Sequence, residues 1–176
     1  HSLANTRIDF TFTGKAAHAA SAPELGRSAL DAVELMNIGV NYMREHMPDD
    51  ARVHYAYLDA GGIAPNVVPA KATVRHLVRS RNLPGLADLV ARVHAISEGA
   101  ALMSGVRVNS KVFSAVSNLL GNRPLEEAMQ AEFDALGPVL FDANDEKFAT
   151  EIRATLTKDD IADTFRLLNM KPDYEM

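Results

Sequence analysis

The sequence predicts an α+β fold of the ferredoxin-like βαββαβ type: a four-stranded antiparallel sheet with two helices on one face, followed by a helical C-terminal tail. Three observations predict it. Short stretches between residues 6 and 115 alternate apolar and polar side chains with the period of a half-buried strand. Two longer stretches among them repeat apolar residues every third or fourth position, the stripe of an amphipathic helix. Past residue 115 the alternation stops and helical spacing alone continues. Short connections and right-handed crossovers leave few other assemblies of that order.

The first strand is expected over Thr6–Thr13, with Ile8, Phe10 and Phe12 on one face and Arg7, Asp9 and Thr11 on the other. A loop of small residues carrying His18 leads through Pro23 and Gly26 into a helix over Arg27–Met47. Leu30, Val33, Met36, Val40, Met43 and Met47 form its stripe, Ser28 or Ser21 is its candidate cap, and Pro48 ends it. The second strand, Ala51–Ala60, alternates Val53, Tyr55 and Tyr57 against Arg52, His54 and Ala56, so both tyrosines are expected in the core. Gly61-Gly62-Ile-Ala-Pro-Asn66 breaks the pattern as a loop. The third strand is expected over Val68–Ser80, with Ala72, Val74, His76 and Val78 inward. Asn82-Leu-Pro84 introduces a second helix over Leu86–Ser104, and Val106, Val108 and Val112 mark the fourth strand. Helical stretches follow at Pro124–Leu136, Asn144–Leu156 and Asp159–Leu168. They either pack back on the sheet or belong to a larger domain, and the domain reading is 1–115 for the sheet and 116–176 for the tail.

Composition narrows the function classes. With 18 Lys and Arg against 23 Asp and Glu the net charge is −5, which offers no general electrostatic footprint for nucleic acid or anionic lipid. No apolar run reaches the ~18 residues of a membrane span, and no signal peptide precedes the first strand. The absence of cysteine excludes thiol catalysis, disulfides and thiolate metal sites, and fits a cytoplasmic location. The chain begins at His1 rather than Met and is expected to be a piece of a longer one.

Few residues can carry chemistry. The histidines at 18, 46, 54, 76 and 94 are scattered, with no His-x-Asp and no His-Glu-x-x-His, so no metal ligand is assigned in this chain. There is no Gly-x-Ser-x-Gly elbow, phosphate loop or dinucleotide fingerprint. What remains is His18 after the first strand, Asn66 between the second and third, and Arg79 at the far end of the third. An imidazole can donate to a developing oxyanion, an amide can bond a carbonyl or carboxylate, and a guanidinium can clamp a carboxylate with two bonds. From the residues alone His18 also reads as a plain loop histidine, Asn66 as a turn residue and Arg79 as a solvated strand residue, while His76 reads as a core histidine with its nitrogens satisfied. The functional reading needs the three polar side chains on a common surface.

Three ordered motifs carry a resemblance: Gly14-Lys-Ala-Ala-His18-Ala-Ala with Pro23 and Gly26; Gly61-Gly62-Ile-Ala-Pro-Asn66-Val-Val-Pro69; and Ala72 to Arg79. Together they resemble the lid, or dimerisation, domain of the two-zinc aminoacylase and glutamate-carboxypeptidase family of metallopeptidases. Gly26-Arg-Ser-Ala-Leu-Asp-Ala-Val33, Ala51-Arg-Val-His-Tyr55 and Glu98-Gly-Ala-Ala-Leu-Met103 are closest to its aminobenzoyl-glutamate utilization branch. The resemblance implies a homodimer formed through the lid in which His18 reaches into the partner's active site and polarises the scissile carbonyl. It implies substrate-binding roles for Asn66 and, at the carboxylate of the amino-acid moiety, for Arg79. The implied substrate is a small N-acyl amino acid such as p-aminobenzoyl-glutamate, with no nucleic acid or membrane partner. The parent enzyme would be a zinc-dependent amidohydrolase holding two zinc or similar divalent ions. Those ligands belong to a catalytic domain flanking the lid, so the chain alone is expected to be inactive and to hold no cofactor. The alternative expectation is a stand-alone ferredoxin-like ligand-binding or protein-interaction module that pairs through a sheet edge.

Overall fold

The structure, a computed structural model, describes residues 2–167 and 170–172. They form two compact units, 1–120 and 121–176. In the first, β1 (Ala4–Thr13), α1 (Ala29–Met43), β2 (Arg52–Asp59), β3 (Lys71–Ser80), α2 (Leu83–Ser104) and β4 (Arg107–Val116) follow in the expected order. The sheet runs β2-β3-β1-β4, every neighbour antiparallel. This is the ferredoxin-like arrangement, with β1 and β3 central.

The alternation in β1 becomes an inner row of fully buried Ile8, Phe10 and Phe12, paired with His76, Val74 and Ala72 of β3. The helices close over that row. Helix α1 contributes Ala29, Ala32, Val33, Met36, Val40 and Met43; α2 contributes Leu86, Leu89, Val93 and Ala100. Burying a side chain of the size of Phe10 contributes about 2–3 kcal/mol. Ser28 caps α1, its Oγ accepting the Asp31 N–H at 3.1 Å. Asn82 caps α2 by accepting the Gly85 N–H at 2.9 Å, and Gly105, at φ 64°, ends it in the left-handed conformation.

The boundaries that differ have physical causes. Helix α1 stops at Met43 and tightens into a 3₁₀ turn over Arg44–His46, and Met47 is extended because it precedes Pro48. Strand β3 begins at Lys71 rather than Val68, since Val68 is spent on the loop that carries His18: its N–H bonds the Ala17 carbonyl at 2.9 Å. Helix α2 starts three residues early, because Pro84 falls in its first turn, where the missing N–H costs nothing. Tyr55 and Tyr57 do point to the core face but are 37% and 44% exposed. The cause is the strand order: β2 is an edge, and the helices do not reach over it fully. The Tyr57 hydroxyl accepts a bond from Asn37 Nδ2 at 3.2 Å on that flank.

The second unit contains α3 (Arg123–Leu136), α4 (Ala143–Arg153) and α5 (Lys158–Leu167). Asn122 caps α3, and Asp142 with Asp145 makes a capping box on α4. Leu168, the expected end of the last helix, lies outside the described residues. Leu125, Met129 and Phe133 form the expected stripe on α3, yet none of the unit's described residues is buried. No described helix is long and apolar enough to cross a membrane.

Candidate functional site

The loop after β1 is held by a second, smaller set of backbone pairings. Gly14 N–H bonds the Ala70 carbonyl at 2.8 Å, and Lys15 and Arg27 exchange two bonds of 2.9 Å. His18 then bridges to Val67, with the Ala19 N–H on the Asn66 carbonyl at 2.9 Å. The loops of the first and second motifs are therefore zipped to one another, and residues 18 and 66 lie side by side at the end of the sheet where β1 finishes and β3 begins. Gly14 has to be glycine: a Cβ there would overlap the Arg27 carbonyl oxygen and open the Lys15–Arg27 pair.

The imidazole of His18 is exposed, and its Nδ1 accepts two backbone N–H groups, from Ser21 at 3.1 Å and Ala20 at 3.3 Å. An acceptor at Nδ1 places the proton of the neutral ring on Nε2. The ring thus presents one N–H donor outward, at a fixed angle, from a loop whose alanines leave the approach open. The orienting amides of Ala20 and Ser21 are a part of the site that the sequence did not reveal; His followed by small residues is the one trace of it there.

Arg79 is placed elsewhere. It lies at the opposite end of β3, eight residues past Lys71, which at the rise of an extended strand is roughly 26 Å along the sheet. Its Cα neighbours are Asn5 on β1 and Arg52 on β2. One copy of the chain brings His18 and Asn66 together and keeps Arg79 apart, so the three do not share a surface of a single copy.

His76 is fully buried, as expected of a core histidine, but it is not satisfied as expected: neither ring nitrogen has a hydrogen-bond partner. It packs edge-on to Phe10 at 5.8 Å and tilted against Tyr55 at 5.4 Å. Burial, and secondarily the Arg44 charge, push its pKa down to about 4. Among the described residues no group of three or more His, Cys, Asp or Glu could hold a metal ion. The two divalent ions implied by the resemblance therefore have no fitting ligand set in this part of the chain.

Comparison with known proteins follows the same line. Residues 4–102 match the peptidase dimerisation domain of the M20 type. The chain is 46% identical over 158 residues to one of the p-aminobenzoyl-glutamate hydrolase polypeptides of Escherichia coli K12, a match covering 90% of the chain and 33% of that protein. It is 33% identical over 120 residues to a second p-aminobenzoyl-glutamate hydrolase polypeptide of the same organism, covering 65% of the chain and 26% of that protein. The crystal structure of an aminobenzoyl-glutamate utilization protein from Klebsiella pneumoniae superposes with a TM-score of 0.62 at 25% identity, over 73% of this chain and 33% of that one. The chain thus spans about a quarter to a third of the length of these relatives. On the ferredoxin-like sheet, the ordered motifs and these matches, the chain belongs to the M20 peptidase dimerisation-domain family.

Proposed function

We propose that this chain is the dimerisation and substrate-closing domain of a cytoplasmic, metal-dependent amidohydrolase that cleaves N-acyl amino acids such as p-aminobenzoyl-glutamate. The observation that carries the reading is the oriented, exposed His18, with Nδ1 tied to two amides and Nε2 free as a donor. A donor so fixed suits the oxygen of a scissile amide, which gains charge as the tetrahedral intermediate forms. Because the ring needs no reorientation, its bond strengthens in the transition state at little entropic cost.

Because Arg79 lies far from His18 in one copy, the reading requires a centre built from two copies. Each active centre would take His18 and Asn66 from one lid and Arg79 from the other, with Asn66 bonding the substrate and Arg79 gripping the carboxylate of the amino-acid moiety. The metal ions and the hydrolytic water would come from the catalytic domain, of which residues 116–176 are the proposed return. The lid by itself is then inactive.

His18→Ala in the intact enzyme tests this. It is expected to lower kcat by about 10²-fold, the usual cost of losing one oxyanion donor, with a much smaller change in KM. An unchanged kcat removes His18 from the mechanism. A robust metal-dependent amidase rate from the purified chain would overturn its role as a lid.

A further inference from the structure

The face of the sheet opposite the helices gathers Arg79 with two further arginines, Arg52 and Arg7, to which the sequence motifs assign no role. Arg79 on β3 has Arg52 of β2 as its direct neighbour, and Arg7 of β1 sits diagonally across, two residues beyond Arg79's own β1 partner Asn5. Direct neighbours stand roughly 5 Å apart at Cβ and diagonal ones roughly 7–8 Å, within reach of side chains of this length. All three are exposed, and among the described residues none forms an ion pair with a carboxylate. The contrast is local. Arg75, four residues before Arg79 on the same face, is neutralised by Asp9, and nearby Arg81 lies 3.9 Å from Asp50.

Like charges set directly opposite on a sheet repel, and this pair is left without a counter-charge in a chain whose net charge is −5. The Arg52 guanidinium is also braced. Its Nη1 donates to the carbonyls of Asp49 and Ala51, the latter at 2.6 Å, leaving Nε and Nη2 for another acceptor. Between the arginines lies Leu77, half-buried, the residue that pairs with Arg7 on one side and His54 on the other. The cluster therefore offers cationic forks around a small apolar floor.

We infer that Arg52 and Arg7, with Arg79, form a subsite for a dicarboxylate: Arg79 takes the carboxylate next to the scissile amide, and Arg52 and Arg7 take the second carboxylate of an acidic amino-acid moiety. The methylenes between the two carboxylates lie over Leu77. This rests on the proposed role of Arg79 and adds to it the residues that select an acidic over a neutral amino acid. A charge-assisted, two-pronged bond to the second carboxylate is the source of the preference.

The test uses the full 176-residue chain, ¹⁵N-labelled at arginine, titrated at low salt with N-acetyl-glutamate and with N-acetyl-norvaline. Both probes carry the α-carboxylate; the first alone carries the second. The expected result is that N-acetyl-glutamate shifts the Nε–H signals of Arg7, Arg52 and Arg79 and binds at least about tenfold tighter. Arg52→Gln and Arg7→Gln should each bring the ratio of the two affinities toward unity, and Arg52→Lys should keep part of it. Equal affinities in the unsubstituted chain, or a ratio untouched by both Gln substitutions, overturns the subsite. If Arg79→Gln weakens both probes while the other two variants keep the ratio, the second-carboxylate subsite alone is lost. If Arg79→Gln leaves both affinities as they were, the reading of Arg79 itself falls, and the subsite with it.

Discussion

Arg75 meets Asp9 across the two central strands in a two-pronged pair, Nε to Oδ1 at 2.6 Å and Nη2 to Oδ2 at 2.8 Å, while its guanidinium stacks 3.9 Å over the ring of Phe113. Phe113 reaches that position because β4 bulges there: Arg7 pairs with Ser114 and Ile8 with Val112, leaving Phe113 as the extra residue. The hydrogen bond from Arg75 holds the Asp9 carboxyl below its ordinary value of 3.8. A lowered carboxylate pKa contributes stability that is present above the unfolded value and lost as pH falls through the folded one. Asp9→Asn is therefore expected to lower Tm at pH 7, with the gap to the unsubstituted chain closing as pH is taken below 3.8. Thermal unfolding by circular dichroism across that range checks it; a gap that stays constant would mean that the pair's charge contributes nothing.

His76 gives the opposite end of the same linkage. Its folded pKa of about 4 lies below the ordinary histidine value of 6.5, so the unfolded chain binds the proton first. Stability is whole above 6.5 and falls as pH drops toward 4. Between pH 8 and pH 5 this single group is expected to remove about 2 kcal/mol. His76→Leu keeps an apolar side chain against Phe10 and Tyr55 and removes two unpartnered nitrogens. Urea unfolding at the two pH values should then show the loss in the unsubstituted chain and most of it gone in the variant.

Gly14→Ala is expected to act on the His18 loop. The added methyl must displace the Arg27 carbonyl, so the Lys15–Arg27 pairing opens and the neighbouring bridge from His18 to Val67 loses its support. A cost of about 1–3 kcal/mol is the usual one for forcing an extra methyl into a filled space. Amide exchange should speed at Lys15, Arg27 and Ala19 before it speeds in β1. Unchanged protection at those three amides would refute the account of the loop.

The second unit should open long before the first. None of its described residues is buried, whereas the sheet unit holds a closed core. Limited proteolysis is expected to cut first among residues 121–176 and to leave a folded fragment ending near Leu120. Trimming that begins within β1 or α2 would contradict it.

The sequence by itself determined the elements and the inner row of the sheet. Period two in β1 and β3 and the stripes of α1 and α2 are local signals, and burial followed them at Phe10, Val74, Val33 and Leu89. Pairing across strands is not local, and it decided the rest. The sequence placed Asp9 and Arg75 outward without saying that they would meet. It placed Tyr55 inward without saying that β2 would be an edge. It set Asn66 and Arg79 thirteen residues apart without showing that an extended strand would carry them to opposite ends of the sheet. The strand order β2-β3-β1-β4 puts Arg52 beside Arg79 and zips His18 to the chain around Asn66. Register fixes which side chains become neighbours, and in an antiparallel sheet it is set by how the whole core packs, a sum over contacts that no single stretch of the chain contains.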